Sequence, residues 1–145
     1  MFVIKNLMLT VMALGLAFAA SAQEQTLQKE EVPVEITNFI EQHFASAEVV
    51  SVVKDKDGME VTYEIELLGG IELEFNENKE IISMDSDSAL PESAIPAKLL
   101  DYVSAEYAGK KIIGWELEGN QQKVELNDDT DLVFDTDGNF LRKDD

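Results

Sequence analysis

The stretch Asp135-Thr136-Asp137-Gly138 raises the question of a metal site, because acidic residues before a Gly are typical of calcium loops. An EF-hand loop also needs a third oxygen ligand before its Gly and a bidentate Glu about six positions after it, where this chain has Asp144. The acidic cluster from Asn127 to Asp131 lies at a second turn. We interpret both stretches as polar turns. The alternative is weak divalent-cation binding, with calcium held by Asp128, Asp129, Asp131, Asp135 and Asp137.

Four glutamates that alternate with apolar residues are the next candidates for chemistry, since paired carboxylates can act as general acid and base. They are Glu64, Glu66, Glu72 and Glu74. No surrounding pattern predicts a cleft that would enclose a substrate or raise the pKa of one of them over another. The single histidine, His43, lies beside the apolar stripe of a helix, and the chain has no Gly-x-Ser-x-Gly motif, His-rich metal spacing or phosphate loop. We therefore predict a protein without catalytic residues and without a cofactor.

The N-terminus has the pattern of a cleavable signal peptide, residues 1–22. Lys5 precedes the apolar run Leu7 to Phe18, and Ala20-Ser21-Ala22 offers small residues to a signal peptidase. Cleavage after Ala22 would leave a periplasmic or secreted protein with no membrane insertion. The absence of Cys means that such a protein depends on its core rather than on disulfides.

The charge of the chain restricts its partners. The formal net charge is −19, from 11 basic and 30 acidic residues. Such a chain repels phosphate backbones and anionic lipids, which excludes nucleic acid and membrane surfaces as expected partners. Basic proteins, cationic peptides and divalent ions remain, and the alternative is that the charge only keeps a secreted protein soluble.

Helical patterns occur twice, each after a proline. Apolar residues at helical spacing follow Pro33 and again follow Pro96, predicting short amphipathic helices over about 33–45 and 96–108. After each helix the spacing changes to strict alternation. Strands are expected over 48–54, 61–67, 71–75, 80–84, 112–118, 124–126, 132–134 and 139–143.

Each unit is therefore one helix followed by four strands. The predicted connections are hairpins at Asp55–Gly58, Gly69-Gly70 and Gly119-Asn120. A single unit is too small for a stable core, and two units that share a sheet would solve that problem. We predict an α+β fold: two tandem α-β-β-β-β repeats forming one antiparallel sheet of about eight strands, with both helices on one face.

Several short motifs carry a family resemblance: Leu90-Pro91, Ile95-Pro96-x-x-Leu99, Asp101-Tyr102-Val103, Tyr107-Ala108-Gly109, Val124-Glu125-Leu126 and Leu132-x-Phe134-Asp135-x-x-Gly138. With them the chain resembles the PepSY-like, β-lactamase-inhibitor-like family of small secreted bacterial proteins. We predict a first PepSY-like repeat over 32–87 and a second over 90–145, after an N-terminal linker over 23–31. The resemblance implies a tandem helix-plus-four-strand fold and a non-catalytic binding role.

The hypothesis that follows is a binding module whose open, acidic sheet face meets a protein or peptide that carries a basic patch. The expected partner-binding residues are Glu64, Glu66, Glu72, Glu74, Glu116 and Glu125. Trp115 and Tyr63 have the parity of the core, and would anchor a partner only if they faced the open side. The alternatives are the divalent-cation binder and, from the wider PepSY resemblance, a regulator of an envelope peptidase.

Overall fold

The computed structural model describes residues 23–144, so the predicted signal peptide lies outside the described residues. The first repeat contains β1 (Gln23–Thr26), α1 (Val34–His43), β2 (Val49–Asp57), β3 (Glu60–Leu67), β4 (Ile71–Phe75) and β5 (Ile81–Asp85). The second contains α2 (Ala97–Glu106), β6 (Ile112–Glu118), β7 (Gln121–Leu126), β8 (Asp131–Asp135) and β9 (Phe140–Asp144). None of the described helices is long and apolar enough to cross a membrane.

All nine strands form one antiparallel sheet in chain order, from β1 to β9. Within the sheet the two repeats therefore meet at β5 and β6, which pair over Ser83↔Glu116, Met84↔Trp115 and Asp85↔Gly114. Both repeats carry bulges at matching places, at the start of β2 and of β6 and between their last two strands. The internal duplication thus extends to the irregularities of the sheet.

Both helices cover the same face of the sheet. Ile36 and Ile40 of α1 and Leu99 and Val103 of α2 are buried in one core. The sheet contributes a row of apolar residues opposite one another across successive strands: Val52, Ile65, Leu73, Met84, Trp115, Val124 and Leu132. This shared row confirms the tandem repeat on a single sheet.

Tyr63 and Trp115 are both 6% exposed, so their predicted core positions are confirmed. The same holds for the strand parity of Ile65, Leu73 and Phe75, which lie under the helices.

Four local predictions need correction. Residues 23–31 are not a plain linker: β1 pairs with β2 over Gln23↔Lys56 to Thr26↔Val53, which explains nine strands rather than about eight. The strands of the first hairpin continue to the pair Asp57↔Glu60, so only Gly58 and Met59 form the turn. Both α-helices also end two residues before the predicted limit.

The loop between β3 and β4 is longer than the predicted Gly69-Gly70 turn. Leu67 pairs with Ile71, so Leu68 joins the two glycines in a three-residue loop. Both glycines have positive φ, 101° and 77°, which glycine adopts at low cost. The added residue decides the register, because residues opposite each other must lie on the same face. With it, Glu66 faces Glu72 instead of an apolar neighbour.

Candidate functional site

The open face is the side of the sheet turned away from both helices. By strand parity it carries Glu24, Ser51, Val53, Asp55, Thr62, Glu64, Glu66, Glu72, Glu74, Ser83, Asp85, Gly114, Glu116, Lys123, Glu125, Asp131, Val133, Arg142 and Asp144. All six glutamates expected to bind a partner therefore lie on this one face.

Glutamates of β3 and β4 stand directly opposite one another on the open face. Glu64 faces Glu74, and Glu66 faces Glu72. Like charges in opposite positions of an antiparallel pair destabilise it, by roughly 0.2–1 kcal/mol each. The two lysines of β2, Lys54 and Lys56, have the parity of Tyr63 and point to the helix side, so they do not offset this charge.

Exposure differs among these glutamates. Glu64, Glu66 and Glu72 are exposed as predicted. Glu74 and Glu125, expected to be exposed, are half-buried. The position of the strand does not explain this difference, because the exposed Glu64, Glu66 and Glu72 also lie on strands with two neighbours. The alternation in the sequence predicts which face of the sheet a residue lies on, but not how much of its surface the neighbouring side chains cover.

The electrostatic state of the open face follows from this crowding. Burial raises the pKa of Glu64, and Asp55 and Glu24 raise it further. Burial likewise raises the pKa of Glu74, with Glu64 and Glu116 adding to the effect. Every shift disfavours the charged carboxylate, and the contribution that comes from the neighbouring carboxylates would favour a cation placed over these residues.

The part of the open face that belongs to the second repeat has the same direction of pKa shift but also carries cations. Burial raises the pKa of Glu116, then Glu118 does so, while Lys123 lowers it. For Glu125 burial is again the largest cause, followed by Asp131.

Ion pairs distinguish this second part of the face. Lys123 Nζ lies 3.1 Å from Asp131 Oδ2, and the Asp131 side chain is nearly fully buried. Arg142 Nε lies 2.7 Å from Asp144 Oδ1. The second repeat thus balances part of its own acidic charge within the described residues, whereas β3 and β4 do not.

The acidic turns have their own partners. The Asp135 carboxylate accepts hydrogen bonds from the backbone N and side-chain Nδ2 of Asn139, both at 2.8 Å, and these bonds lower its pKa. Asp128 accepts from Lys110 Nζ at 2.9 Å, and this contact lowers the pKa of Asp128. Asp129 adopts a φ of 64°, typical of a turn. These carboxylates act as turn caps in this conformation.

The five aspartates considered as cation ligands are therefore divided between two turns and one strand. Among residues 23–144 no three His, Cys, Asp or Glu side chains have a geometry that would hold a metal ion. A cation bound at either turn would have to replace the hydrogen bonds from Asn139 or the ion pair with Lys110.

Two polar contacts were not foreseen from the sequence. Trp115 Nε1 donates to Gln122 Oε1 at 3.0 Å inside the core, and Gln122 Nε2 donates to the carbonyl oxygens of Asp135 and Thr136. His43 Nδ1 lies 2.9 Å from Ser93 Oγ and so connects the two repeats. His43 and Ser93 are 50 residues apart in the chain, so no local signal reports their contact, whereas Trp115 and Gln122 are 7 residues apart across the predicted Gly119-Asn120 hairpin.

Both repeats of the chain are similar to a known protein family. The family described as "Putative beta-lactamase-inhibitor-like, PepSY-like" matches residues 19–83 and 62–142, which together span most of the chain. The chain belongs to the PepSY-like family. None of the curated proteins compared with it matches.

Solved structures agree with this assignment of the PepSY-like fold. A "putative calcium-regulated periplasmic protein" from Bacteroides thetaiotaomicron is 26% identical, with a TM-score of 0.80 over 84% of this chain and 97% of that one. A "putative periplasmic protein of unknown function" from Bacteroides vulgatus is 28% identical, with a TM-score of 0.78 over 85% and 100%. A third periplasmic protein, also from Bacteroides vulgatus, is 23% identical, with a TM-score of 0.79 over 84% and 97%, and supports the fold alone. The first two descriptions support a periplasmic location.

Proposed function

We propose that this chain is a non-catalytic periplasmic binding module that meets a basic protein or peptide segment on the open face. Its export would follow cleavage after Ala22. The observation that carries the proposal is the presence of two pairs of opposed glutamates, Glu64 with Glu74 and Glu66 with Glu72. Both like-charge pairs weaken the sheet, and both lie on the side of the sheet that no described helix covers.

The geometry also indicates the form of the ligand. Glu64 and Glu66 are two residues apart on one strand, as are Glu72 and Glu74 on the next. Side chains two residues apart on a strand are about 6.8 Å from each other, and neighbouring strands are about 4.8 Å apart. An extended segment with a Lys or Arg at every second position has the same spacing and presents its charges on one side.

The experiment uses a labelled peptide of four Lys-Thr repeats, whose lysines all lie on one side when it is extended. A peptide with four consecutive Lys and four consecutive Thr has the same charge and a different spacing. We expect fluorescence anisotropy to show tighter binding of the alternating peptide to the mature protein. Binding should weaken as salt rises, because salt screens exposed charges.

A matched pair of variants tests the place of binding. Glu66→Lys with Glu72→Lys reverses two charges on the open face, whereas Glu35→Lys with Glu41→Lys makes the same change on exposed positions of α1. The open-face variant should lose binding, and the α1 variant should keep most of it. Equal binding by both variants would mean that net charge alone attracts the peptide, and the proposal would be wrong.

Calcium binding is the second candidate, favoured by the description of one relative as calcium-regulated. The carboxylates of the open face and the two acidic turns are both chemically suitable for a hard cation. Because the turn carboxylates already accept hydrogen bonds, we expect at most weak calcium binding.

Calorimetry with calcium and magnesium on the mature protein tests this second candidate. Asp128→Asn with Asp135→Asn removes charge at the turns, and Glu66→Gln with Glu72→Gln removes it on the open face. The pair that abolishes the heat of binding locates the ion. Tight binding with a large rise in Tm would place calcium ahead of the basic segment.

A further inference from the structure

A cavity of about 240 Å³ lies in the second repeat, between α2 and the segment that joins the two repeats. Its wall is largely apolar, and the buried or half-buried side chains that line it are Leu90, Ile95, Leu100, Val103 and Ile112. Sites for drug-sized ligands have volumes of about 300–1,000 Å³. This smaller cavity therefore suits a short aliphatic chain.

The charged residues that line the cavity are Glu92, Lys110 and Lys111, and all three are exposed. Lys110 is already paired with Asp128, at 2.9 Å. Lys111 forms no ion pair with any residue that the structure describes. The backbone N–H of Lys111 donates to Asn127 Oδ1 at 3.1 Å, which fixes the main chain of Lys111 beside the cavity. Its ammonium group is therefore the cation available to a ligand.

The first repeat has different residues at the equivalent positions. Glu48 directly precedes β2, and Lys111 directly precedes β6. The fourth residue of the helix is Thr37 in α1 and Leu100 in α2. The second repeat thus combines a cation with an apolar wall where the first repeat has a carboxylate and a hydroxyl group. Because the backbone is the same in both repeats, including the bulge that follows, the fold does not require this combination.

We propose that the cavity beside α2 binds a small aliphatic carboxylate, with its chain against Leu100 and Val103 and its carboxylate group at Lys111. The formal net charge of −19 repels anions in general, so the ion pair with Lys111 is the contact that would select a carboxylate. Glu92 repels a carboxylate, which leaves the Lys111 end of the cavity for that group. The site lies on the helix side of the sheet, so it does not depend on the open face.

The experiment compares hexanoate, hexylamine and hexan-1-ol, which have the same chain length and differ in charge. Each is titrated into isotope-labelled mature protein, and NMR follows the backbone amide signals. We expect hexanoate to shift the signals of Ser104, Gly109 and Lys111 saturably, with a Kd of about 1 mM. Hexan-1-ol should bind about tenfold more weakly, because it cannot form the ion pair.

Hexylamine is the decisive comparison. The net charge of the protein favours a cation, so a preference for hexanoate over hexylamine can come only from a local positive charge. We expect hexylamine to bind more weakly than hexanoate at the cavity. Tighter binding of hexylamine, or the absence of a saturable shift with hexanoate, would overturn the proposal.

Matched variants place the charge contact. Lys111→Glu introduces the residue type of the first repeat, and Lys98→Glu makes the same change at an exposed position of α2 that does not line the cavity. Lys111→Glu should weaken hexanoate binding at least about tenfold, and Lys98→Glu should change it less than about twofold. Circular dichroism confirms that both variants are folded. Equal losses in both would mean that total charge decides the binding, and the proposal would be wrong.

A second pair of variants tests the apolar wall. Leu100→Thr introduces the residue type of the first repeat, and Leu100→Met keeps a similar apolar volume. Leu100→Thr should weaken hexanoate and hexan-1-ol by the same factor, whereas Leu100→Met should bind both. If Leu100→Thr leaves both affinities unchanged, the aliphatic chain does not lie in the cavity and the proposal is wrong.

The variant Glu66→Lys with Glu72→Lys separates this site from the open face. At physiological salt it should bind hexanoate as the wild type does, even where it loses the Lys-Thr peptide, because distant surface charges are screened. Loss of hexanoate binding in this variant would contradict the cavity site.

Discussion

The two repeats have the same backbone fold and differ in the charge of their part of the open face. Glu64 of the first repeat corresponds to Lys123 of the second, and Glu74 corresponds to Val133. Lys123 pairs with Asp131, while Glu64 faces another glutamate. Positions on the open face can change charge between the repeats without altering the fold, because the core row beneath them carries the stability. The comparison therefore separates the residues that fold the protein from the charges on which the proposed partner binding depends.

The largest expected effect on stability comes from truncating the equivalent aromatic residues in the core of each repeat. Phe75 is 1% exposed and Phe134 is fully buried. Phe75→Ala and Phe134→Ala should each cost about 3–5 kcal/mol of the free energy of unfolding. Urea denaturation measures both, and because β5 and β6 join the repeats we expect one cooperative transition in each variant. Two separate transitions would mean that the repeats fold independently.

Much of the fold could be predicted because alternation and helical spacing are local signals. β1 could not, since Gln23–Thr26 are all polar and exposed, and the strand exists only because the edge of β2 accepts it. The face of each candidate glutamate followed from parity. The opposition of Glu66 and Glu72 depends on one extra loop residue, Leu68. The glycine pair alone predicted a shorter turn, although the shared parity of Leu67 and Ile71 already requires the longer loop.

A smaller effect is expected from a polar contact of the second core. Gln122 is buried and bonds both Trp115 and two backbone carbonyls, whereas the first repeat has the ring of Tyr63 in the equivalent place. Gln122→Leu leaves those groups without a partner and should cost about 1–3 kcal/mol.

A double-mutant cycle with Trp115→Phe isolates the bond between the two side chains. The double variant should be less destabilised than the sum of the single variants, since each alone removes the same interaction. Strict additivity would show that Gln122 acts only through the carbonyls of Asp135 and Thr136.

The smallest expected effect has the opposite sign and concerns the open face. Glu64→Gln or Glu74→Gln removes one like-charge pair and should stabilise the protein by roughly 0.2–1 kcal/mol at neutral pH. Because the pKa of each carboxyl is raised in the folded state, protonation favours folding. This contribution is fully present below the unfolded pKa and is lost as pH rises through the raised folded value.

Wild-type stability should therefore gain from these two groups as pH falls from neutral towards 4.5, the ordinary pKa of a glutamate, and the Gln variants should lack that gain. Thermal unfolding between neutral pH and that value measures the difference. Asp128→Asn is the contrasting control, because the pKa of Asp128 is lowered by Lys110 and its contribution disappears as pH falls. If Glu64→Gln and Glu74→Gln destabilise the protein at neutral pH, repulsion between the opposed glutamates does not weaken the sheet. The proposal that a cationic ligand relieves that repulsion would then be wrong.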